Sequence, residues 1–306
     1  MTPAPGIYRN APFAEYAAWD ACNHSRLTDL ERSAKYMRYR IDQPDGDTAA
    51  MLMGRALHTT ILEPHLFDNE YIISRPCVAV TGKGIVCGCP GKYWNDGKWL
   101  CGKHGSVTEG HRDILTAAQG EAVEQMAKAV MTNEWANRIL SAAEARELSF
   151  VWNDPATGVL CKGRADLLLN AHADATADIK TTTDCSPEEF ERVIMYRHYY
   201  RQASHYLDGL TALGKPRSSH FIIAVENEAP WDVAVYQLRP VDIAIGQCEL
   251  HGPRVDLRGE PATGLIQMYR DAMASPGEPA GCGTEIRYLG LPAWRERQAL
   301  NAKGKP

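Results

Sequence analysis

The chain has 306 residues, a formal net charge of −5 and an apolar fraction of 44%, enough for one large core with a small appended module. No run of about 20 apolar residues occurs, which excludes a membrane-spanning helix, and the opening Met-Thr-Pro-Ala-Pro-Gly lacks the basic and apolar stretches of a secretory signal. A cytoplasmic protein is expected, whose nine cysteines stay reduced. The charge argues against nonspecific wrapping of nucleic acid but leaves room for a local basic groove. Arg26, Arg32, Lys35, Arg38 and Arg40 form one basic concentration, and Arg192, Arg197, His198 and Arg201 another, each equally readable as a solvated helix face.

In chain order, residues 12–42 read as helical, with a rough apolar stripe of Leu27, Leu30, Tyr36 and Met37. Residues 48–63 form a second helix, which carries His58 and is stopped by Pro64. Residues 75–105 change character: they are rich in Gly, Cys, Lys and Trp and have no periodic apolar pattern, as expected of an inserted module. Helical character returns over 111–146. The period then shifts to that of strands, with Leu148–Trp152, the turn signal Asn153–Gly158 and a returning strand from Val159 through Leu169 making a hairpin. A third strand ends in Ala177-Asp178-Ile179-Lys180. Ser186-Pro187-Glu188-Glu189 starts a helix, broken near Tyr196 to Tyr199 and carrying Gln202 and Tyr206 further on. Two strands, Ser219–Val225 and Val233–Leu238, and a helix over 240–251 complete the pattern, and the Pro- and Gly-rich stretch from 275 reads as loose.

The chemistry concentrates in Gly163-Arg164-Ala165-Asp166 and Asp178-Ile179-Lys180-Thr181. Residues two apart in a strand share a face, so the Asp178 carboxylate and the Lys180 ammonium look into one pocket. Asp166 and Asp178, read as acids on adjacent strand ends, are hard oxygen ligands suited to Mg²⁺ or Mn²⁺. Lys180 could orient or deprotonate an attacking water and neutralise charge on a phosphate. Gln202 and Tyr206 lie one turn apart on a single helix face, and His58 offers an imidazole that could complete the metal shell. An acid-x-Lys triplet alone recurs by chance; its company makes it informative.

Gly54-Arg55-Ala56-Leu57-His58 with Leu62-Glu63-Pro64, the two acidic motifs, and Tyr200-Arg201-Gln202-Ala203-Ser204-His205-Tyr206 together resemble the PD-(D/E)XK nucleases of the phage exodeoxyribonuclease VIII (RecE) type, relatives of lambda exonuclease and RecB-family nuclease domains. The likeness spans roughly residues 20–215, and the first acidic motif lacks the proline of the nominal signature. It implies an α/β core with a central mixed sheet flanked by helices. His58, Asp166, Asp178 and the Ile179 carbonyl would hold the catalytic ion, with Lys180 as catalytic lysine and Gln202 and Tyr206 supporting the site and the DNA. Glu147 falls where some relatives carry a further acid, although Glu144 is near. The implied activity is Mg²⁺- or Mn²⁺-dependent exonucleolytic digestion of linear double-stranded DNA, 5′ to 3′. It would be performed in a bacterial host by a phage or prophage protein, often as a homo-oligomeric ring (trimer or tetramer), and would supply a single-strand annealing protein for recombination. Same-fold alternatives are an endonuclease or Cas4-like nuclease; a non-catalytic DNA-binding protein is the alternative of another class.

Cys77, Cys87, Cys101 and His104 are a candidate zinc tetrad inside the module, with Cys101-Gly-Lys-His104 supplying a short chelate spacing; Cys89 could replace Cys87 or Cys77. An iron–sulfur cluster is the rival, disfavoured because a histidine joins the set and all four residues sit in one insertion. The expected organisation is thus an N-terminal helical part of the nuclease domain (1–74), a zinc-binding module (75–105), the nuclease core (106–270) and a loose tail (271–306).

Overall fold

The computed structural model describes residues 2–275 except 45, 47, 107–111 and 256–260, together with residues 277 and 281. The expected tail from 271 begins inside a helix that continues to Ala274, and the rest of it lies outside the described residues apart from 275, 277 and 281. In chain order the elements are β1 (Gly6–Tyr8), α1 (Phe13–Ala18), α2 (His24–Arg32), α3 (Ala34–Asp42), α4 (Ala49–Leu62), α5 (Phe67–Glu70), β2 (Tyr71–Ile73), β3 (Tyr93–Asn95), β4 (Lys98–Leu100), β5 (Asp113–Leu115), α6 (Ala117–Thr132) and α7 (Glu134–Ser141). There follow β6 (Ala143–Asn153), β7 (Leu160–Leu169), β8 (Ala175–Thr182), α8 (Pro187–Tyr196), α9 (Tyr199–Ala212), β9 (Ser219–Glu226), β10 (Val233–Gln237), α10 (Pro240–His251), β11 (Arg254–Val255), β12 (Pro261–Ala262) and α11 (Leu265–Ala274).

The central sheet has six strands in the order β1-β6-β7-β8-β9-β10. Every pairing is antiparallel except β8 with β9, so the sheet is mixed. Helices cover both faces. On one, α4, α6 and α7 pack Leu57, Ile61, Val123, Met126 and Ile139 onto Leu167, Leu169, Ala177, Ile179, Ile223 and Val225. On the other, α2, α9 and α11 cover Phe150, Trp152, Ala165 and Leu168, and α8 with α9 covers Ile222 and Ala224. The outcome is an α/β fold with a mixed central sheet between helical layers.

The stretch expected as one helix over 12–42 is three. Asn23 accepts from the Arg26 amide at 3.0 Å and Ser33 from Tyr36 at 3.0 Å, so two polar side chains start new helices inside what periodicity alone joins. The break also lets Cys22 lie beside Cys161 as an isolated parallel bridge. Lys162 fastens the α1 end of this segment, donating to the carbonyls of Tyr16 (2.9 Å), Ala17 (3.1 Å) and Trp19 (2.7 Å). The helix expected over 111–146 divides at Asn133, which caps α7 through the Ala136 amide, and its last residues already belong to β6. Ser186 starts α8 without a side-chain capping bond.

Helix α9 reaches the sheet because two glycines leave room for aromatic rings. A Cβ on Gly163 would stand 2.7 Å from the Phe150 ring and 3.1 Å from that of Tyr206; one on Gly209 would stand 2.7 Å from Trp152. In an open helix, Gly→Ala gains about 1 kcal/mol; here overpacking, typically about 1–3 kcal/mol, opposes it. Gly209→Ala is therefore expected to lower the thermal midpoint in calorimetry, and a raised midpoint would show that the rings yield freely.

Candidate active site

Register brings the acids together. The β6–β7 hairpin pairs Asn153 with Leu160 and continues to Leu148 with Ala165, then Arg146 with Leu167; the position between those last two sets Glu147 opposite Asp166. On the other side, Leu168 pairs with Thr176 and Leu167 with Ala177, and one further step sets Asp166 opposite Asp178. Glu147, Asp166 and Asp178 thus occupy one row across three strands. Both aspartates lie within strands rather than at strand ends as the sequence suggested.

The β7–β8 ladder stops at this row. In its place Asp166 Oδ2 accepts the Ile179 amide at 2.7 Å, a side chain substituting for a backbone carbonyl. Asp166 is 7% and Asp178 1% exposed; both Asp178 oxygens are buried without a hydrogen bond among the described residues, and Oδ1 has no ion-pair partner either. Asp178 Oδ2 meets the Lys180 ammonium at 2.8 Å, and that ammonium lies 5.1 Å from the centre of the Tyr199 ring.

From α4, His58 reaches the row. Its Nε2 is 2.9 Å from the Ile179 carbonyl, while Nδ1 lies 3.5 Å from Asp166 Oδ2 and 3.7 Å from Glu147 Oε1. One ligand atom each from His58, Glu147 and Asp166 falls within 4.8 Å of the others. A Cβ on Gly54, one turn earlier on α4, would stand 3.9 Å from the Thr181 hydroxyl. From the opposite helical layer, Gln202 donates to the Tyr206 hydroxyl at 3.0 Å, and that hydroxyl feels the charges of Asp178 and Asp166.

Glu147 adopts φ +46°, a left-handed conformation that a non-glycine residue holds only when its surroundings enforce it. Arg164 does so. Its Nε donates to Glu147 Oε2 at 2.5 Å and its Nη1 to the Ala11 carbonyl at 2.6 Å and Ser149 Oγ at 3.0 Å; Nη2 lies 3.6 Å from Glu63. Glu144, the competing acid, instead pairs with Arg217 at 3.2 Å. Sequence reasoning left Glu147 open, although counting back from the Asn153–Gly158 turn would have found it.

The electrostatics follow from crowding. Burial opposes charge on His58, but the Asp166 carboxylate and the hydrogen bond and charge of Glu147 outweigh it and raise its pKa to about 9. Burial, countered by His58 and reinforced by Asp178, lifts Asp166 to about 7. Asp178 is held below the usual carboxylate range: Lys180 overcomes the burial penalty. In turn, Asp178 and Asp166 overcome burial and keep Lys180 a charged ammonium well above its ordinary pKa. Lys180 is thus suited to neutralising charge and orienting groups rather than to accepting a proton.

The clustered donors, an imidazole and two carboxylates from His58, Glu147 and Asp166, have the chemistry of a Mg²⁺ or Mn²⁺ site; Asp178, expected as a further ligand, lies outside that cluster and pairs through Oδ2 with Lys180. The module's Cys77, Cys87, Cys101 and His104 form a second cluster, again within 4.8 Å of one another; Cys89 is exposed and outside it.

Comparison with known proteins agrees with the fold. The family described as a PDDEXK-like domain of unknown function (DUF3799) matches residues 13–252. A crystal structure from Eubacterium rectale, of a protein provisionally named an exonuclease, aligns over 90% of this chain and 91% of that one at 13% identity and TM-score 0.53. That is likeness of fold alone. The structure of SSO0001 overlaps 53% of this chain and 70% of its own at 15% identity and TM-score 0.26, too little to carry an argument. The comparison with curated proteins returns no match.

Removing one side of a buried ion pair leaves its partner uncompensated, at a cost of about 3–5 kcal/mol. Arg164→Ala is expected to lose that much unfolding free energy in chemical denaturation, since Glu147 stays buried without its guanidinium; a loss below about 1 kcal/mol would leave Glu147 held by something else.

Proposed function

The chain belongs to the PDDEXK-like DUF3799 family, and from that premise we propose that it is a divalent-metal-dependent nuclease acting on DNA, and specifically an exonuclease of linear duplexes. The observation that carries the reading is the cluster of His58, Glu147 and Asp166 with the Asp178–Lys180 pair in the strand beside it. His58, Glu147, Asp166 and Asp178 would hold the ion, with the Ile179 carbonyl at the same pocket edge. A divalent ion held there would supply positive charge to the phosphoryl oxygens and lower the pKa of a water so that hydroxide becomes available near neutral pH.

The protein's own groups do the rest. Lys180, kept charged by Asp178, neutralises the charge that builds on phosphorus as water adds and the ester oxygen leaves. Arg164 keeps Glu147 turned toward His58, and the Asp166–Ile179 hydrogen bond keeps β7 and β8 in step so that the two aspartates converge. Gln202 and Tyr206 line the helical side of the same pocket, where a neutral phenol and an amide offer hydrogen bonds to a nucleotide without adding repulsion. Among the described residues no helix is long and apolar enough to cross a membrane.

The finer features, 5′ to 3′ polarity, assembly as a ring of three or four copies, and handover of the exposed strand to an annealing protein in recombination, rest on the likeness of the motifs to those of RecE-type enzymes. End-labelled linear duplex should be shortened with Mg²⁺ or Mn²⁺ and spared with EDTA, while closed circles persist. Cutting of closed circles would identify an endonuclease instead.

Asp178→Ala and Lys180→Ala are each expected to slow this digestion by about 10²-fold or more while keeping the parent's circular-dichroism spectrum. Digestion at the parental rate by either folded variant would remove these residues from the site.

A further inference from the structure

We propose that the loop joining β2 to β5 is a zinc-dependent folding unit, holding one Zn²⁺ through Cys77 Sγ, Cys87 Sγ, Cys101 Sγ and His104 Nδ1. The inference is independent of the nuclease reading, because it concerns residues on a separate stem and is tested by metal content.

Geometry comes first. Zn–S bonds near 2.3 Å and Zn–N bonds near 2.0–2.1 Å in a tetrahedron require S···S edges of about 3.8 Å and S···N edges of about 3.5 Å. Cys87 and Cys101 sulfurs are 3.8 Å apart, and His104 Nδ1 lies 3.4 Å from the sulfurs of both Cys77 and Cys101. Four protein ligands close the shell, leaving no position for substrate, so the ion is structural.

The backbone also folds back tightly at the sulfur-bearing residues. Gly88, at φ +65°, turns the chain between Cys87 and Cys89, and its amide donates to the Cys77 carbonyl at 3.0 Å. The amides of His104 and Gly105 donate to the Cys101 carbonyl at 2.9 and 3.0 Å. Two short turns thus bring ligand atoms distant in sequence onto one point.

The packing then requires a cross-link. Within the described part of 75–106 only Cys77, Trp99 and Cys101 are buried, and two of these three are candidate ligands. Val78, Val80, Ile85 and Val86 are instead exposed. The pairing inside the loop is slight: β3 with β4, and isolated bridges at Pro76–Pro90 and Val80–Val86. Its base is the short parallel pairing of β2 with β5. Burying one tryptophan side chain contributes a few kcal/mol, whereas ordering each residue's backbone costs about 1–2 kcal/mol. An ion held by four ligands supplies what the absent core does not.

The test is elemental analysis of the purified full chain after exhaustive dialysis, with Co²⁺ substitution as a spectroscopic check. The expected result is about one zinc and no iron per chain, thiolate-to-cobalt charge-transfer bands with the intense d–d bands of tetrahedral cobalt, and rapid proteolysis within 75–106 once a strong chelator removes the ion. Cys101→Ser should carry less than a tenth of an equivalent, while Cys89→Ser and His104→Cys, which keep four ligands, should retain the metal. His104→Cys separates loss of a ligand from general misfolding, since it changes the same loop. Absence of zinc from the parent, iron in its place, or full zinc in Cys101→Ser would each overturn the assignment.

Discussion

Three carboxylates side by side in a nearly dry row are the constraint around which this fold is arranged. At the spacing of neighbouring strands, like charges removed from water repel strongly, and sheet register offers Glu147, Asp166 and Asp178 no escape. Cations answer them one by one: Arg164 on Glu147, His58 between Glu147 and Asp166, Lys180 on Asp178. The balance stays imperfect, as the raised pKa values of His58 and Asp166 and the unpartnered Asp178 Oδ1 record. In the proposed function, a divalent ion would supply the positive charge that this row lacks.

The surrounding architecture serves this row. The antiparallel β6–β7 hairpin sets Glu147 against Asp166, and the parallel β8–β9 pairing fixes the strand that carries Asp178 and Lys180. Helices pack from both sides, α4 bringing His58 to the Ile179 carbonyl and α9 bringing Tyr206, bonded to Gln202, near Asp178 and Asp166. Aromatic rings of Phe150, Trp152 and Tyr206 at this junction explain why the approaching backbone carries glycine at 163 and 209. The loop between β2 and β5 stands apart, with a different donor chemistry and a cluster in place of a core.

Much of this was readable before the fold, because it rests on local spacing. Strand alternation joined Asp178 to Lys180, and helical spacing joined Gln202 to Tyr206. What escaped depends on contacts distant in sequence or on backbone geometry. The register of Glu147 could be counted back from the Asn153–Gly158 turn, but its left-handed backbone clamped by Arg164 is announced by no pattern of residue types. Arg201, counted with a basic surface, is 0% exposed in its side chain and pairs with Glu31 at 2.8 Å and Glu249 at 3.2 Å, partners from α2 and α10 that only the tertiary fold brings near. The N-terminal helices divided where Asn23 and Ser33 cap new turns, a signal present in the sequence but outweighed there by the apolar stripe.

The central claim is that charge at this row exists to hold a divalent ion. Asp166→Asn tests it most directly, since asparagine keeps an oxygen to accept the Ile179 amide while losing the negative charge. Calorimetric titration of Mn²⁺ into the parent and this variant should give saturable binding in the parent and a loss of at least tenfold in affinity in a variant with an unchanged thermal midpoint. Equal Mn²⁺ affinity in the two folded proteins would contradict the account.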